Sequence, residues 1–253
     1  MPCQSMILQQ KLKYKRGRSM SILELQNVSF SYDNSKSLRK NSLFAHGKPS
    51  GNKSFDNDKP LFERPLLSSF NFSVESHERV ALQASSGFGK TTICRLLAGY
   101  LKPQVGEVLL DKVPLDSYSK ANGSSPLPVQ MIWQHPEQTL DPLLRIQDSL
   151  EESGLIDQVL LEKLGIKQQW LSRYPRELSG GELQRCCIAR ALRVHPKFLI
   201  ADEISTMLDA ITQVQIWEFL LSYCKENKVG LVLVTHSKAL QDRLATRVVS
   251  LTS

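Results

Sequence analysis

The chain has 253 residues, 41% of them hydrophobic and 23% charged, which suits one large domain with a packed core. Its apolar runs, such as 229–234, are far too short to span a bilayer, and no apolar segment follows the basic N-terminus as a secretory signal would require. The formal charge of +7 does not point to nucleic acid, because Lys11, Lys13, Lys15, Arg16 and Arg18 account for most of it and the rest of the chain is close to balance.

Residues 1–20 are expected to form a basic, disordered, solvated extension, with the folded domain occupying 21–253. Residues 22–32 predict a first strand ending at Tyr32. From 33 to 65 the composition shifts to Ser, Asn, Lys, Gly and Pro and periodicity is lost, which predicts a flexible insertion. Alternation at Phe70, Phe72 and Val74 predicts the next strand, and Val80-Ala81-Leu82 leads into a glycine-rich turn. Residues 91–100 have helical spacing, with Ile93, Leu96 and Leu97 on one face. Short strands are expected at 108–110 and 129–133. The stretch 135–180 is mostly helical, punctuated by Pro136, Pro142 and Pro175. Helix and strand then alternate: 183–194, 198–201, 210–225, 231–234, a short helix from Lys238, and a strand over 247–251. Such alternation predicts an α/β sheet with helices on its faces and 135–180 as an inserted helical lobe. The five cysteines lack metal-ligand spacing, and the adjacent Cys186 and Cys187 should point to different helix faces. They read as reduced structural thiols of a cytoplasmic protein.

Ala84-Ser85-Ser86-Gly87-Phe88-Gly89-Lys90-Thr91 follows an expected strand and precedes an expected helix, the context a phosphate-binding loop requires. Its glycines let backbone N–H groups turn toward phosphate oxygens. Lys90 adds a point charge, and the Thr91 hydroxyl suits Mg²⁺. Ala84 stands where the usual motif has glycine, which is tolerable if its φ stays negative. The loop alone implies a nucleoside triphosphate and no particular chemistry. Further on, the apolar run Phe198-Leu199-Ile200-Ala201 ends in Asp202 and Glu203. Carboxylates at the C-terminal end of a buried parallel strand lie where open α/β sheets bind ligands. Asp202 is placed to hold Mg²⁺ through water and Glu203 to polarise an attacking water.

Between these two motifs lies Leu178-Ser179-Gly180-Gly181-Glu182-Leu183-Gln184-Arg185, a glycine-rich opening to a helix. With it, residues 21–251 resemble the nucleotide-binding subunits of ABC transporters. The resemblance implies an α/β P-loop NTPase: an ABC-type nucleotide-binding domain with a RecA-like core, an antiparallel β-subdomain and a helical signature lobe at 135–180. It implies ATP and Mg²⁺ as cofactors. It assigns Gln134 as the glutamine contacting the metal or water, His236 as the histidine near the γ-phosphate, and Thr206-Met207-Leu208-Asp209 as the D-loop. Tyr32 stands where an aromatic ring stacks on adenine. The implied catalytic group is Glu203, His236 and Gln134. The implied nucleotide contacts are Tyr32, Ser85, Ser86, Gly87, Phe88, Gly89, Lys90, Thr91 and Thr92, with Ser179, Gly180, Gly181, Glu182 and Asp209 acting at the interface with an opposing subunit. The implied metal contacts are Thr91, Gln134 and Asp202.

One phosphate loop and one signature imply a homodimer or a pairing with a sister ATP-binding subunit. Tyr174-Pro175-Arg176-Glu177 before the signature, and Gln134-His135-Pro136-Glu137-Gln138-Thr139-Leu140-Asp141-Pro142, resemble the oligopeptide, dipeptide and nickel importers. The expected function is ATP hydrolysis that powers import of peptides or nickel and other metal complexes. The expected partners are integral membrane permease subunits and an extracytoplasmic substrate-binding protein, with no nucleic acid. The expected location is cytoplasmic, peripheral on the inner face of the cell membrane. The 33–65 insertion, and an end at Ser253 just after the last expected strand, depart from that family. The alternative is a soluble ABC ATPase acting on nucleic acid or ribosomes, but such proteins usually carry two cassettes or a long coiled-coil insertion.

Overall fold

The computed structural model describes residues 20–32, 65–85, 87–121, 126–152, 154, 156–206 and 208–251. The expected extension and insertion thus lie outside the described residues except at Met20 and Pro65, and so do Ser86 and Met207.

Two sheets organise the described residues. Strands β1 (Ile22–Phe30), β2 (Leu67–Glu75), β4 (Val105–Leu110) and β5 (Val113–Pro114) form an antiparallel sheet in the order β2-β1-β4-β5. Strands β3 (Arg79–Gln83), β6 (Val129–Ile132), β7 (Phe198–Asp202), β8 (Gly230–Val234) and β9 (Arg247–Ser250) form a parallel sheet in the order β6-β7-β8-β3-β9. The helices are α1 (Lys90–Leu97), α2 (Leu115–Ala121), α3 (Ile146–Glu151), α4 (Gln158–Lys163), α5 (Gln168–Leu171), α6 (Gly180–Arg193), α7 (Ala210–Asn227) and α8 (Lys238–Leu244).

Every residue of β7 and β8 is buried, as expected for parallel strands covered on both faces. Successive side chains alternate between two cores because a strand repeats every two residues. Phe198, Ile200, Val232 and Val234 pack with Leu23, Leu25, Phe72, Val74, Ile93 and Leu97 from the antiparallel sheet and α1. Leu199, Ala201, Leu231 and Leu233 pack on the other side with Ile188, Leu192, Ile216, Trp217 and, from the helical lobe, Ile146, Leu150 and Trp170. The sheet is therefore the middle layer, and its strand ends are held rigidly from both faces.

Several boundaries differ from the sequence expectation. Strand β1 stops at Phe30, leaving Tyr32 beyond the sheet. Among the described residues, the lobe contains three short helices and two single 3-10 turns, Pro136–Gln138 and Pro175–Glu177, each opened by a proline at its first position. Proline suits that position because its missing N–H would have no helical partner there. Helix α6 begins at Gly180 rather than 183 because Ser179 caps it. Helix α2 and strand β5 had no apolar periodicity to reveal them. Cys94, Cys186, Cys187 and Cys224 are all buried and free; Cys186 and Cys187 are both covered by the core, with Cys187 reaching the Thr139 hydroxyl at 2.9 Å. Burial pushes the thiols of Cys186 and Cys224 up to about 12 and that of Cys187 up to about 11. Among the described residues, no group of His, Cys, Asp or Glu is arranged to hold a metal by itself, and no helix is long and apolar enough to cross a membrane.

Gly106 marks a tight point in the antiparallel sheet. It lies opposite the irregularity in β1 around Asn27, has φ of 82°, and a Cβ there would sit 2.3 Å from the carbonyl oxygen of Gln26. Gly106→Ala is expected to destabilise the domain by about 2–4 kcal/mol, from left-handed strain plus the backbone clash. A thermal midpoint equal to that of the wild type would show that β1 yields without cost.

Candidate nucleotide and metal site

The C-terminal ends of β3, β6, β7 and β8 lie along one edge of the parallel sheet, and the expected site residues cluster there. Strand β3 ends at Gln83 and the chain turns directly into α1. Gly87 and Gly89 take φ of 81° and 83°, conformations that cost a side-chain-bearing residue about 1–2 kcal/mol. Ala84 has no positive φ, so its Cβ is accommodated as the sequence suggested. Gly89 is the N-cap of α1 and supplies no side chain to it, so the first-turn N–H groups are left to face an anion. The Lys90 ammonium donates to the carbonyl oxygens of Ala84 and Ser85, both at 3.0 Å, and so holds the loop closed on itself. Phe88 belongs to the same turn, whose N–H approaches the Ser85 carbonyl at 3.4 Å. Ser86 lies outside the described residues.

Tyr32 lies beside this loop although it is beyond the sheet. Its hydroxyl shares a hydrogen bond of 3.1 Å with that of Thr92, and its ring meets Phe30 edge-on at 5.0 Å. Tyr32 is 49% exposed, which leaves an aromatic surface next to α1.

Asp202, at the end of β7, is 3% exposed. Burial raises its carboxyl above the usual range, the Thr91 hydroxyl opposes the rise by donating to it, and the adjacent Glu203 raises it further. Among the described residues, its buried Oδ1 has no hydrogen-bond partner. A buried carboxylate oxygen without a donor, beside a threonine hydroxyl, matches the oxygen donors a hard divalent cation takes. The residues therefore fit Mg²⁺ at Thr91 and Asp202.

Glu203 is the meeting point of three strand ends. Its Oε1 lies 2.7 Å from Nε2 of His236, just beyond β8. Its Oε2 accepts from the side-chain amide of Gln134, just beyond β6, at 3.2 Å. Its backbone takes φ of 51° and its N–H donates to the Val234 carbonyl at 3.1 Å. A glutamate held in the left-handed region needs surrounding structure to over-determine it, as is typical of functional positions. The strain aims the carboxylate between its two neighbours with the side chain only 14% exposed.

The signature forms a separate structure at the start of α6. The Ser179 hydroxyl accepts from the Glu182 N–H at 3.4 Å, and the Glu182 carboxylate accepts from the Ser179 N–H at 2.9 Å. This is a capping box. It commits the Glu182 carboxylate to shaping the turn. A Cβ at Gly180 would meet nothing within 4 Å, and at Gly181 only side-chain carbons at 3.5 and 3.6 Å. Packing among the described residues therefore does not require glycine at either position. Arg185 ties the helix down, donating to the Leu164 carbonyl and to Gln215 of α7, both at 2.8 Å. Asp209 is likewise a cap: its carboxylate accepts from the N–H groups of Ile211 and Thr212 at 3.0 and 2.9 Å, which hold it below the usual range.

Arg95, near the site, was not singled out in the sequence. Arg95 places its guanidinium 5.2 Å from the ring centre of Trp133, and its charge also acts to lower Asp202. Its place one helical turn after Thr91 was the only available signal.

A parallel sheet with a phosphate loop, a metal-suited aspartate and a strained glutamate at its strand ends defines the class as an α/β P-loop NTPase. Residues 67–206 match the family model described as ABC transporter. The chain belongs to the ABC transporter family, as an ATP-binding cassette. It is 33% identical over 196 residues to the glutathione import ATP-binding protein GsiA of Salmonella paratyphi A, a match covering 72% of this chain and 31% of GsiA. The chain thus spans about a third of GsiA's length. It is 32% identical over 201 residues to the nickel import ATP-binding protein NikE of Rhodospirillum rubrum, covering 74% of this chain and 73% of NikE. It is 34% identical over 200 residues to HrtA of Staphylococcus saprophyticus, a candidate hemin import ATP-binding protein, covering 74% and 88%. In fold it is similar to a dimeric ATP-binding cassette solved after hydrolysis with ADP and Pi, with a TM-score of 0.69, 23% identity, and coverage of 91% of this chain and 94% of that one.

Proposed function

We propose that the chain binds and hydrolyses ATP and thereby powers import through a membrane ABC transporter. The observation that carries this is the convergence of Gln134 and His236 on the two oxygens of Glu203. A carboxylate held from both sides at a strand end is suited to take a proton from an attacking water. Lys90 is placed to exchange the two loop carbonyls for phosphate oxygens, which accept more strongly because they are charged. Tyr32 offers its exposed ring to the adenine. Mg²⁺ bound at Thr91 and Asp202, with Gln134 alongside, would neutralise charge developing on the phosphates.

The signature glycines, unneeded by packing among the described residues, are placed for an approach from outside. Ser179, Gly180, Gly181 and Asp209 would contact nucleotide bound to an opposing cassette, identical or a sister subunit, with Glu182 holding the turn. ATP would then favour the closed pair, because its contacts to the second subunit exist only there. Hydrolysis removes the γ-phosphate contacts and releases the pair.

The relatives named for import of glutathione, nickel and hemin support an importer, and the flanks of the signature favour peptides or metal complexes as cargo. The partners would be integral permease subunits, with an extracytoplasmic binding protein completing the system. The cassette would sit at the cytoplasmic face of the membrane. Purification from membranes is expected to bring down a permease pair and a second ATP-binding subunit, and the complex should hydrolyse ATP in a Mg²⁺-dependent way. Recovery with ribosomes or DNA instead would overturn the importer assignment.

A further inference from the structure

Trp133 immediately precedes Gln134 and is half-buried where three segments meet. On one side lies the Arg95 guanidinium, 5.2 Å from the ring centre. On another lies the Tyr100 ring, edge-on at 4.9 Å. Both partners come from the phosphate-loop helix and the turn that ends it, and they are locked together because the Tyr100 N–H donates to the Arg95 carbonyl at 2.8 Å. The third segment is the signature helix. Its Gln184, 1% exposed, donates to the Trp133 carbonyl at 3.4 Å.

We propose that Trp133 is the positioning residue that sets Gln134 against Glu203, clamped by Arg95 of the phosphate-loop helix, by Tyr100 of the turn that ends it and by Gln184 of the signature helix. The next side chain along the backbone reaches Glu203 Oε2, so a shift of Trp133 is passed on within one peptide unit. A cation–π contact and an edge-on aromatic contact are each directional, and together they favour one placement of the indole over others. The charge of Arg95 also acts on Asp202, so the clamp spans the site's metal-suited and water-facing carboxylates. Because α1 also carries Lys90 and Thr91, any movement of that helix on nucleotide binding reaches Gln134 through the indole.

The test, which rests on the ATPase function proposed above, uses the purified full chain. Trp133→Leu keeps an apolar side chain and removes both aromatic contacts. It is expected to lower kcat about tenfold while leaving KM for ATP within about threefold, because it disturbs placement and not the phosphate loop. Trp133→Phe retains a ring for Arg95 and should stay within about threefold of wild type in kcat. In a Gln134→Ala background, adding Trp133→Leu should cost less than about twofold, since its effect runs through the missing amide. Tyr100→Leu, at a residue 57% exposed, removes the edge contact without touching the core and should lower kcat about threefold with KM unchanged. The other two tryptophans, Trp170 and Trp217, are 4% and 2% exposed, so the ATP-dependent change in tryptophan emission is expected to be smaller in Trp133→Phe than in wild type by the part that comes from Trp133. Unchanged kcat in Trp133→Leu and Tyr100→Leu, or a tenfold loss that persists without Gln134, would overturn the assignment. A wild-type chain that hydrolyses no ATP would instead refute the ATPase function itself.

Discussion

Glu203→Gln is expected to slow ATP hydrolysis by about 10²-fold or more while leaving ATP affinity within a few-fold, in keeping with the loss of a general base. The substitution preserves side-chain shape and a hydrogen-bonding oxygen, but it removes the charge that draws a proton from water. None of the groups placed to hold the phosphates is altered: Lys90, the α1 N-terminus and the Thr91 hydroxyl remain. Nucleotide would therefore bind and not turn over, and cassettes joined by ATP should accumulate as a stable pair. Steady-state phosphate release measures the first effect, and size-exclusion chromatography with and without ATP measures the second. Normal turnover in this variant would remove Glu203 from the chemistry. Its left-handed backbone would then have no functional explanation.

Lys90→Ala is expected to weaken ATP binding by about 10²-fold or more, the larger effect on affinity of the two substitutions. A hydrogen bond to a charged group contributes about 1.5–3 kcal/mol, and each 1.4 kcal/mol is a factor of ten in affinity, so one or two lost phosphate contacts suffice. Part of the loss would come from the loop itself. Lys90 is 8% exposed and bridges the Ala84 and Ser85 carbonyls, so alanine also releases the turn that presents the backbone N–H groups. Isothermal calorimetry with ATP reads the affinity, and the thermal midpoint without nucleotide reads the contribution to the loop. Affinity equal to that of wild type would mean that phosphates do not bind here.

Long apolar or strictly patterned elements were legible in the sequence because burial forces a pattern on them. Strands β7 and β8 are buried on both faces and read as continuous apolar runs, and α7 is long enough to show its period. The phosphate loop and signature were legible because glycine at those spacings answers a backbone demand. Helix α2 and strand β5 were not, since both are short and β5 is exposed. The lobe was overestimated as helix because its prolines open single turns and its remaining segments are held by tertiary packing around Ile146, Leu150 and Trp170.

The same division runs through the site. Lys90, Thr91, Asp202 and Glu203 could be named from the linear sequence, because each lies within a short motif whose local geometry determines what its side chain faces. The role of Glu182 and Asp209 as caps depended on where their carboxylates turned, which a motif does not specify. The contact of Gln134 and His236 with the two oxygens of Glu203 was decided only by the sheet order. Strands β6, β7 and β8 are neighbours in space though far apart in the chain, and parallel crossovers bring their C-terminal ends to one edge. The Arg95–Trp133–Tyr100 cluster depended on packing alone, since aromatic and cationic side chains acquire a meeting point only when helix and sheet close around them. Local motifs thus determined which chemistry the chain carries, and the order of the strands determined which groups act on it together.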